Sequence, residues 1–457
     1  MEMKFIALSP IDGRYHDDVI SLRSIFSEFS YFRFRIKIEI FWLKWLSNCL
    51  QIKEIEKFSE IENKLLDDII INFNQDDFRR IKEIEKKINH DTKSIEFFLK
   101  EKIQLIPNLK INCEFIHFAC TSEDINNLAY SLMLKKCRKQ VLIIYWKKII
   151  DQIKKMAYQY QYIPLLSKTH GQPASSSTLG KEFANFVFRM YRQYKQLKNV
   201  EILGKFNGAV GNYNAHYAAY PNIDWNILCK KFVMSFGLKW NPYTTQIEPH
   251  DYISELFHCI SRFNTILINF NQDIWGYISC DYFIQKCTKN EIGSSTMPHK
   301  INPIYFENSE GNLGLANSFL IYMANKLPIS RWQRDLTDST ILRNIGVSMG
   351  YCLIAYKSLL KGLKKITVNK KSIYNALNVN WQVLAEPIQT VMRRYSIDGS
   401  YEKLRYFSQG KKITRKKIMK FIDSLQLPKY EKARLKKITP FNYIGYASEM
   451  VKFIKNK

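Results

Sequence analysis

Residues Gly293-Ser294-Ser295-Thr296-Met297-Pro298-His299-Lys300-Ile301-Asn302-Pro303 are poorly suited to packing and well suited to chemistry. Gly293 permits unusual backbone dihedrals, and Pro298 and Pro303 exclude a regular helix through the middle, so the stretch reads as a loop. Successive N–H groups after a glycine can form an anion nest, and Lys300 adds a full positive charge. A hydroxyl such as that of Ser294, held against such a nest, loses its proton more readily than a free alcohol. The plain alternative is a polar surface turn, since Gly, Pro and Ser punctuate loops in general.

Other residues carry chemistry at lower specificity. His170, in Thr169-His170-Gly171-Gln172-Pro173, stands on a loop before a helix that begins near Gly180. An imidazole titrates near neutrality and suits a general acid, although a histidine satisfied in a turn would read the same. Thr121-Ser122-Glu123-Asp124 precedes an apolar run, the pattern of a helix N-terminus, where free N–H groups also bind carboxylates and phosphates. Asn89-His90-Asp91 and Ser9-Pro10-Ile11-Asp12-Gly13-Arg14-Tyr15 are weak signals taken singly. Gln246 sits before a long helical tract, and Arg331, Arg334, Ser339 and Arg343 follow one another at 330–344. Arginines suit phosphate and carboxylate through bidentate donors, but ion-paired helix ends would look alike.

The elements that must position these residues are helical. Ile38, Phe41, Trp42 and Trp45 fall at i, i+3, i+4 and i+7, an apolar core stripe. Proline-free tracts between Pro107 and Pro164, Pro173 and Pro221, and Pro249 and Pro298 are too long for strands. They predict a bundle of helices of about 25 to 40 residues with functional loops at the ends. Strand signals are weak. Segments 1–110, 111–365 and 366–457 are read as an N-terminal helical domain, a central bundle and a small C-terminal helical domain, with a boundary near Pro107 and small helices broken by Pro387 and Pro428.

At 457 residues, 46% hydrophobic and 24% charged, the chain can bury a large core. Its net charge of +27 is diffuse, with lysines beside Ile, Asn and Tyr, the pattern of AT-rich coding bias. The cluster Lys411, Lys412, Arg415, Lys416 and Lys417 reads as a solvated helical face, and no recognised nucleic-acid motif accompanies it. Nine cysteines are scattered without C-x-x-C, Cys287 among them, and read as free thiols in a reducing cytosol. With neither a signal peptide nor an 18-residue apolar run, a cytoplasmic protein without a membrane span is expected.

The 293–303 loop resembles the G-S-x-x-M-P-x-K-x-N-P signature of the fumarase/aspartase superfamily, with every fixed position present. Thr169-His170-Gly171-Gln172 and Thr121-Ser122-Glu123-Asp124 are similar to its T-H-x-Q and T-S-x-D motifs. The Arg14-Tyr15 and Asn89-His90-Asp91 pieces resemble the adenylosuccinate lyase family, and the likeness runs from Ser9 to Asn442-Tyr443-Ile444-Gly445. Ser176 stands where proline is expected and Tyr305 where an acid is. The resemblance implies an all-α, three-domain fold whose long-helix bundle assembles a homotetramer with active sites shared among three subunits. It implies elimination of fumarate from a succinyl-amine nucleotide, with Ser294 as base and His170 as acid. Lys300 and Asn302 would hold the activated carboxylate, and Thr121 and Ser122 a substrate carboxylate. Arg14, Tyr15, Arg334, Ser339 and Arg343 would meet phosphate and ribose, while Asn89, His90, Asp91, Gln246 and Asn308 complete the substrate contacts. No metal or organic cofactor is implied. Another fumarate-releasing lyase such as argininosuccinate lyase, a non-catalytic relative and a nucleic-acid binder are the alternatives.

Overall fold

The computed structural model describes residues 5–106, 109–286, 292–410 and 413–454. Pro107 with its expected boundary, Cys287, and Lys411 and Lys412 of the basic cluster lie outside these residues. The fold is mostly helical. The helices open with α1 (Ile20–Phe26), α2 (Glu28–Ser47), α3 (Glu60–Ile71), α4 (Gln75–Ile88), α5 (Asp91–Gln104), α6 (Ser122–Cys137) and α7 (Ile143–Gln159). Next come α8 (Leu179–Asn199), α9 (Asn214–Ala219), α10 (Trp225–Ser235), α11 (Asp251–Ser279), α12 (Ile304–Lys326), α13 (Thr337–Leu342) and α14 (Ile345–Lys365). Shorter helices close the chain: α15 (Lys370–Asn378), α16 (Ala385–Arg394), α17 (Ser400–Ser408), α18 (Arg415–Ser424), α19 (Lys429–Lys436) and α20 (Ala447–Met450).

The expected helix lengths are corrected downward. Among the described residues only α11, at 29 residues, enters the predicted range; α12 has 23, and α8 and α14 have 21 each. The proline-free tracts are divided by features that need no proline. A π-helical turn at Arg138–Leu142 separates α6 from α7, and strands take up the residues before α8. Pro387 does not break its segment: it lies in the first turn of α16, where no i−4 hydrogen bond is lost.

By its contacts the chain forms two compact units. The first comprises Met1–Tyr145, Lys195–Thr265 and Asn312–Ala355. Its centre is α2, which starts where Ser27 Oγ accepts from the Ser30 N–H at 3.2 Å. Trp42 is fully buried among Phe206, Phe232 and Trp225, and its indole N–H donates to the Phe118 carbonyl at 3.0 Å. Burying such a ring contributes about 2–3 kcal/mol; of the stripe read from sequence, Ile38 and Trp42 are core, while Phe41 and Trp45 are half-buried. Capping boxes start α3 at Ser59 with Glu62 and α4 at Asn74 with Asp77.

The second unit comprises Trp146–Tyr194, Ile266–Gly311 and Tyr356–Lys457. Phe183 of α8 packs against Phe270 of α11 and Phe283, an aromatic cluster with ring centroids 5.9 and 6.2 Å apart. The weak strand signals hid two antiparallel pairs here: β1 (Pro164–Thr169) with β2 (Gln172–Thr178), and β5 (Phe283–Gln285) with β6 (Ile366–Val368). In the first unit β3 (Leu203–Gly204) and β4 (Lys239–Trp240) form a short parallel pair. Ser176, in the place of an expected proline, donates its hydroxyl to the Pro440 carbonyl at 2.6 Å and so ties β2 to the C-terminal segment. At Tyr305, the other departure, the ring carries Lys365 Nζ 5.0 Å from its centroid. Among the described residues no helix is long and apolar enough to cross a membrane, and no group of three or more His, Cys, Asp or Glu could hold a metal.

Candidate active site

The candidate residues fall into two sets, one in each unit. In the second unit, Thr169 pairs with Gln172, leaving His170 and Gly171 as the two-residue tip of the β1–β2 hairpin. Both are left-handed, with φ of 53° and 74°. That combination twists a two-residue turn to match its strands, and glycine accepts it freely while histidine does not. His170 is therefore an exposed imidazole on a loop, as expected, and that loop is the strained two-residue tip of a hairpin.

The 293–303 segment is folded back on itself. Ser294 Oγ accepts from the N–H groups of Met297 at 3.1 Å and Thr296 at 3.4 Å. Lys300 closes a turn by donating its N–H to the Met297 carbonyl at 3.0 Å. Gly293 is not left-handed, which corrects the dihedral argument; its hydrogen is needed because a Cβ there would collide with the Lys300 carbonyl oxygen. The loop is anchored where Gln285 Nε2 of β5 donates to the Ile301 carbonyl at 2.7 Å. Lys300 is exposed, and Asn302 and Asn308 are half-buried. Two backbone donors on one hydroxyl oxygen favour negative charge there, as in an oxyanion site.

In the first unit a polar network joins several candidates. Arg334 donates to Gln246 Oε1 at 3.2 Å and pairs with Glu123 at 3.0 Å. Glu123 accepts from Asn126 at 2.8 Å, and Asn126 Oδ1 accepts from Arg35 at 3.5 Å. Arg35 is fully buried, donates to Asp91 Oδ2 at 3.0 Å and to Thr92 Oγ1 at 3.2 Å, and lies over the Tyr31 and Phe32 rings. Arg343 donates to the same Asp91 oxygen at 3.0 Å. Burial opposes ionisation of Asp91, but the charge and hydrogen bond of Arg35, aided by Arg343, outweigh it and hold the carboxyl at about 2. Burial pushes the Tyr31 phenol up to about 12, so it stays neutral.

A neighbouring branch runs through Asp338, whose Oδ1 accepts from the Ser339 N–H at 2.7 Å and whose Oδ2 lies 3.4 Å from His250 Nε2. His250 Nδ1 is 3.8 Å from Glu248, whose pKa burial raises and His250 opposes.

Asn89 is the left-handed cap that ends α4, and His90 starts α5 by accepting the Lys93 N–H on Nδ1 at 3.1 Å. Asp91 thus arrives on the first residue of a helix, a position that favours an anion. Thr121 and Ser122 open α6, where the Thr121 N–H donates to Asp124 at 2.9 Å. Asp124 is fully buried, paired with the fully buried Lys205 at 3.0 Å, and also accepts from the Asn207 N–H at 2.9 Å. Arg14 and Tyr15 lie on the opening turn, the guanidinium 5.9 Å from the phenol ring centroid.

The network therefore gathers Asp91, Gln246, Arg334, Ser339 and Arg343. The sequence reading missed Arg35, Asn126, Asp338 and His250. Arg35 had a legible signal: a guanidinium inside the apolar run Tyr31-Phe32-Arg33-Phe34-Arg35-Ile36, which a helix cannot keep wholly at the surface.

Comparison with known proteins identifies the family. A family model described as Lyase matches residues 13–316, and one described as Adenylosuccinate lyase C-terminal matches 330–444. The chain is 59% identical over 449 residues to the adenylosuccinate lyase of Escherichia coli (strain K12), covering 98% of each. It is 60% identical over 445 residues to that of Haemophilus influenzae, covering 97% of this chain and 98% of the relative. Among solved structures it is similar in fold to fumarate lyase from Mesorhizobium sp. BNC1, with a TM-score of 0.76, 15% identity and coverage of 95% and 97%. The 3-carboxy-cis,cis-muconate lactonizing enzyme from Pseudomonas putida gives 0.74, 17% identity and coverage of 95% and 96%. The chain belongs to the adenylosuccinate lyase family, within the fumarase/aspartase superfamily.

Proposed function

We propose that this enzyme, a carbon–nitrogen lyase, cleaves adenylosuccinate to AMP and fumarate, and succinylaminoimidazole carboxamide ribotide to the free carboxamide ribotide and fumarate. The difficult step is removal of a weakly acidic C–H proton beside a carboxylate. Ser294, as an alkoxide, takes that proton; the Thr296 and Met297 N–H groups on its oxygen are the observation that carries this assignment. The electron pair spreads into the adjacent carboxylate, whose growing charge Lys300 and Asn302 receive. The C–N bond then breaks, the new double bond of fumarate forms, and His170 gives its proton to the departing nitrogen.

In the same proposal Arg334, Ser339, Arg343, Arg14 and Tyr15 hold phosphate and ribose. Thr121 and Ser122 bind a carboxylate at the start of α6, and Asn89, His90, Asp91, Gln246 and Asn308 complete the contacts. The enzyme works as a cytoplasmic homotetramer with shared active sites, and the segments 1–110, 111–365 and 366–457 are its domains.

An ultraviolet assay with adenylosuccinate tests this against Ser294→Ala and His170→Ala. Wild type is expected to release AMP and fumarate, and each variant to lose about 10²–10⁴-fold in kcat. Near-full kcat in Ser294→Ala removes it as the base. A folded wild type that turns over argininosuccinate instead removes the nucleotide assignment.

A further inference from the structure

Helix α2 presents two unrelated charged faces. At about 100° per residue, Arg33, Phe34, Lys37 and Phe41 fall within roughly one quadrant of the helix. Arg35, which reaches Asp91, lies about 100° beyond the edge of that strip. The strip lines a cavity of about 420 Å³ whose other walls come from α1, α3 and α6.

The cavity is basic and its charge is uncompensated. Three cations face it, Arg33, Lys37 and Lys136, together with one acid, Asp67. That acid is already engaged, since Asp67 Oδ1 accepts from Lys44 Nζ at 2.7 Å. Arg33 Nε donates to the neutral Ile70 carbonyl at 3.2 Å, and Lys136 Nζ to the Ser24 carbonyl at 3.1 Å. The Lys37 ammonium lies 5.2 Å from the Phe41 ring centroid. Among the described residues none of the three makes an ion pair with a carboxylate. Burial lowers the Lys136 pKa, and the charges of Arg33 and Lys37 lower it further, so all three act on one volume.

Positive charge converging in a half-enclosed space is relieved by an anion. A forked guanidinium with two ammonium groups suits an oxyanion with several acceptors and a double negative charge. Ser24 and Ser30 belong to the same lining, with their hydroxyls donated to the Ser21 and Arg23 carbonyls. The space exceeds what a bare oxyanion fills, and the remaining wall is apolar: Phe34, Phe41 and Ile70. We infer that this cavity binds a small, free aromatic phosphate ester, its phosphate between Arg33, Lys37 and Lys136 and its ring against Phe34 and Phe41. This site is separate from the proposed catalytic residues, and its occupation does not depend on that proposal.

Calorimetric titration of the full chain with phenyl phosphate tests it. Phenyl phosphate is expected to bind wild type, and at least tenfold more weakly to the variant Arg33→Gln/Lys37→Gln/Lys136→Gln. Lys37→Gln alone, a change to one half-buried side chain, is expected to weaken binding several-fold and guards against misfolding of the triple variant. Benzyl alcohol, which lacks the charge, and inorganic phosphate, which lacks the ring, should each bind at least tenfold more weakly than phenyl phosphate. Arg334→Gln, which alters the nucleotide network, should leave this binding unchanged. The inference is overturned if wild type shows no binding, as it would if another subunit covered the cavity. It is equally overturned if the lysine and arginine substitutions change nothing, if benzyl alcohol binds as well, or if Arg334→Gln abolishes the binding.

Discussion

Replacing Arg35 by methionine should expose how the first-unit network is held together. Its guanidinium is fully buried and donates to Asp91, Thr92 and Asn126 at 3.0, 3.2 and 3.5 Å. Methionine fills similar space with no donor, so Asp91 keeps Arg343 and the Thr92 N–H but loses its buried cation, and the Thr92 hydroxyl and Asn126 acceptors lose a partner. Breaking one side of a buried pair costs about 3–5 kcal/mol. A pH-dependent share of this can be worked out. Asp91 titrates at about 2 against an ordinary 3.8, which corresponds to about 2 kcal/mol. Because the folded-state pKa is depressed, this stabilisation is present above pH 3.8 and is lost as pH falls towards 2.

Urea unfolding of wild type and Arg35→Met from pH 7 to pH 2.5 should therefore show a stability gap that is constant at neutral pH. Below about pH 4 the gap should narrow by up to about 2 kcal/mol. The kcat/KM for adenylosuccinate should fall as well, since Asp91 and Arg343 lose the group that sets their geometry. A gap under about 1 kcal/mol, or one that stays flat down to pH 2.5, would refute the account of Arg35 as the anchor of Asp91.

Gly293→Ala sets a methyl group against the Lys300 carbonyl and must open the turn that presents the Thr296 and Met297 N–H groups to Ser294. Turnover is expected to drop at least about tenfold while the melting midpoint stays within a few degrees, because the loop lies largely at the surface; a normal rate would detach the loop geometry from activity. Asp124→Asn strands the fully buried Lys205 and should destabilise by about 3–5 kcal/mol, whereas Asp124→Asn/Lys205→Met should recover much of that loss in the same urea assay. Equal stability of the single and double variants would show that the pair is not coupled.

The helical character of the chain was legible because periodic apolar residues such as Ile38 and Trp42 must be buried on one side, and both are. The non-helical course of 293–303 was legible because Gly293, Pro298 and Pro303 exclude a regular helix there. The partners of Arg35 and Asp338 were not, because these contacts join residues distant in sequence and no local pattern declares which charges meet. The β1–β2 hairpin was missed for a related reason: Thr169-His170-Gly171-Gln172 lacks the Asn-Gly or Asp-Gly that usually announces a two-residue turn, and the flanking Ser and Lys residues obscure the alternation.

Backbone conformation explains why short motifs can place chemistry so sparingly. Non-glycine residues with positive φ occur in three candidate motifs, at Asn89, His170 and Trp332, and at His250 beside Asp338. Each carries roughly 1–3 kcal/mol of local strain that the surrounding packing must outweigh. At Asn89 the return is direct. One left-handed residue ends α4, the next residue caps α5, and the third, Asp91, stands in the first turn where Arg35 and Arg343 reach it. At His170 the same conformation turns the chain in two residues and puts an imidazole at the tip of a hairpin. A longer, unstrained loop would deliver the same side chains but would let them wander. Such strain accompanies turning the chain within one or two residues, and it fixes the direction in which the next element starts.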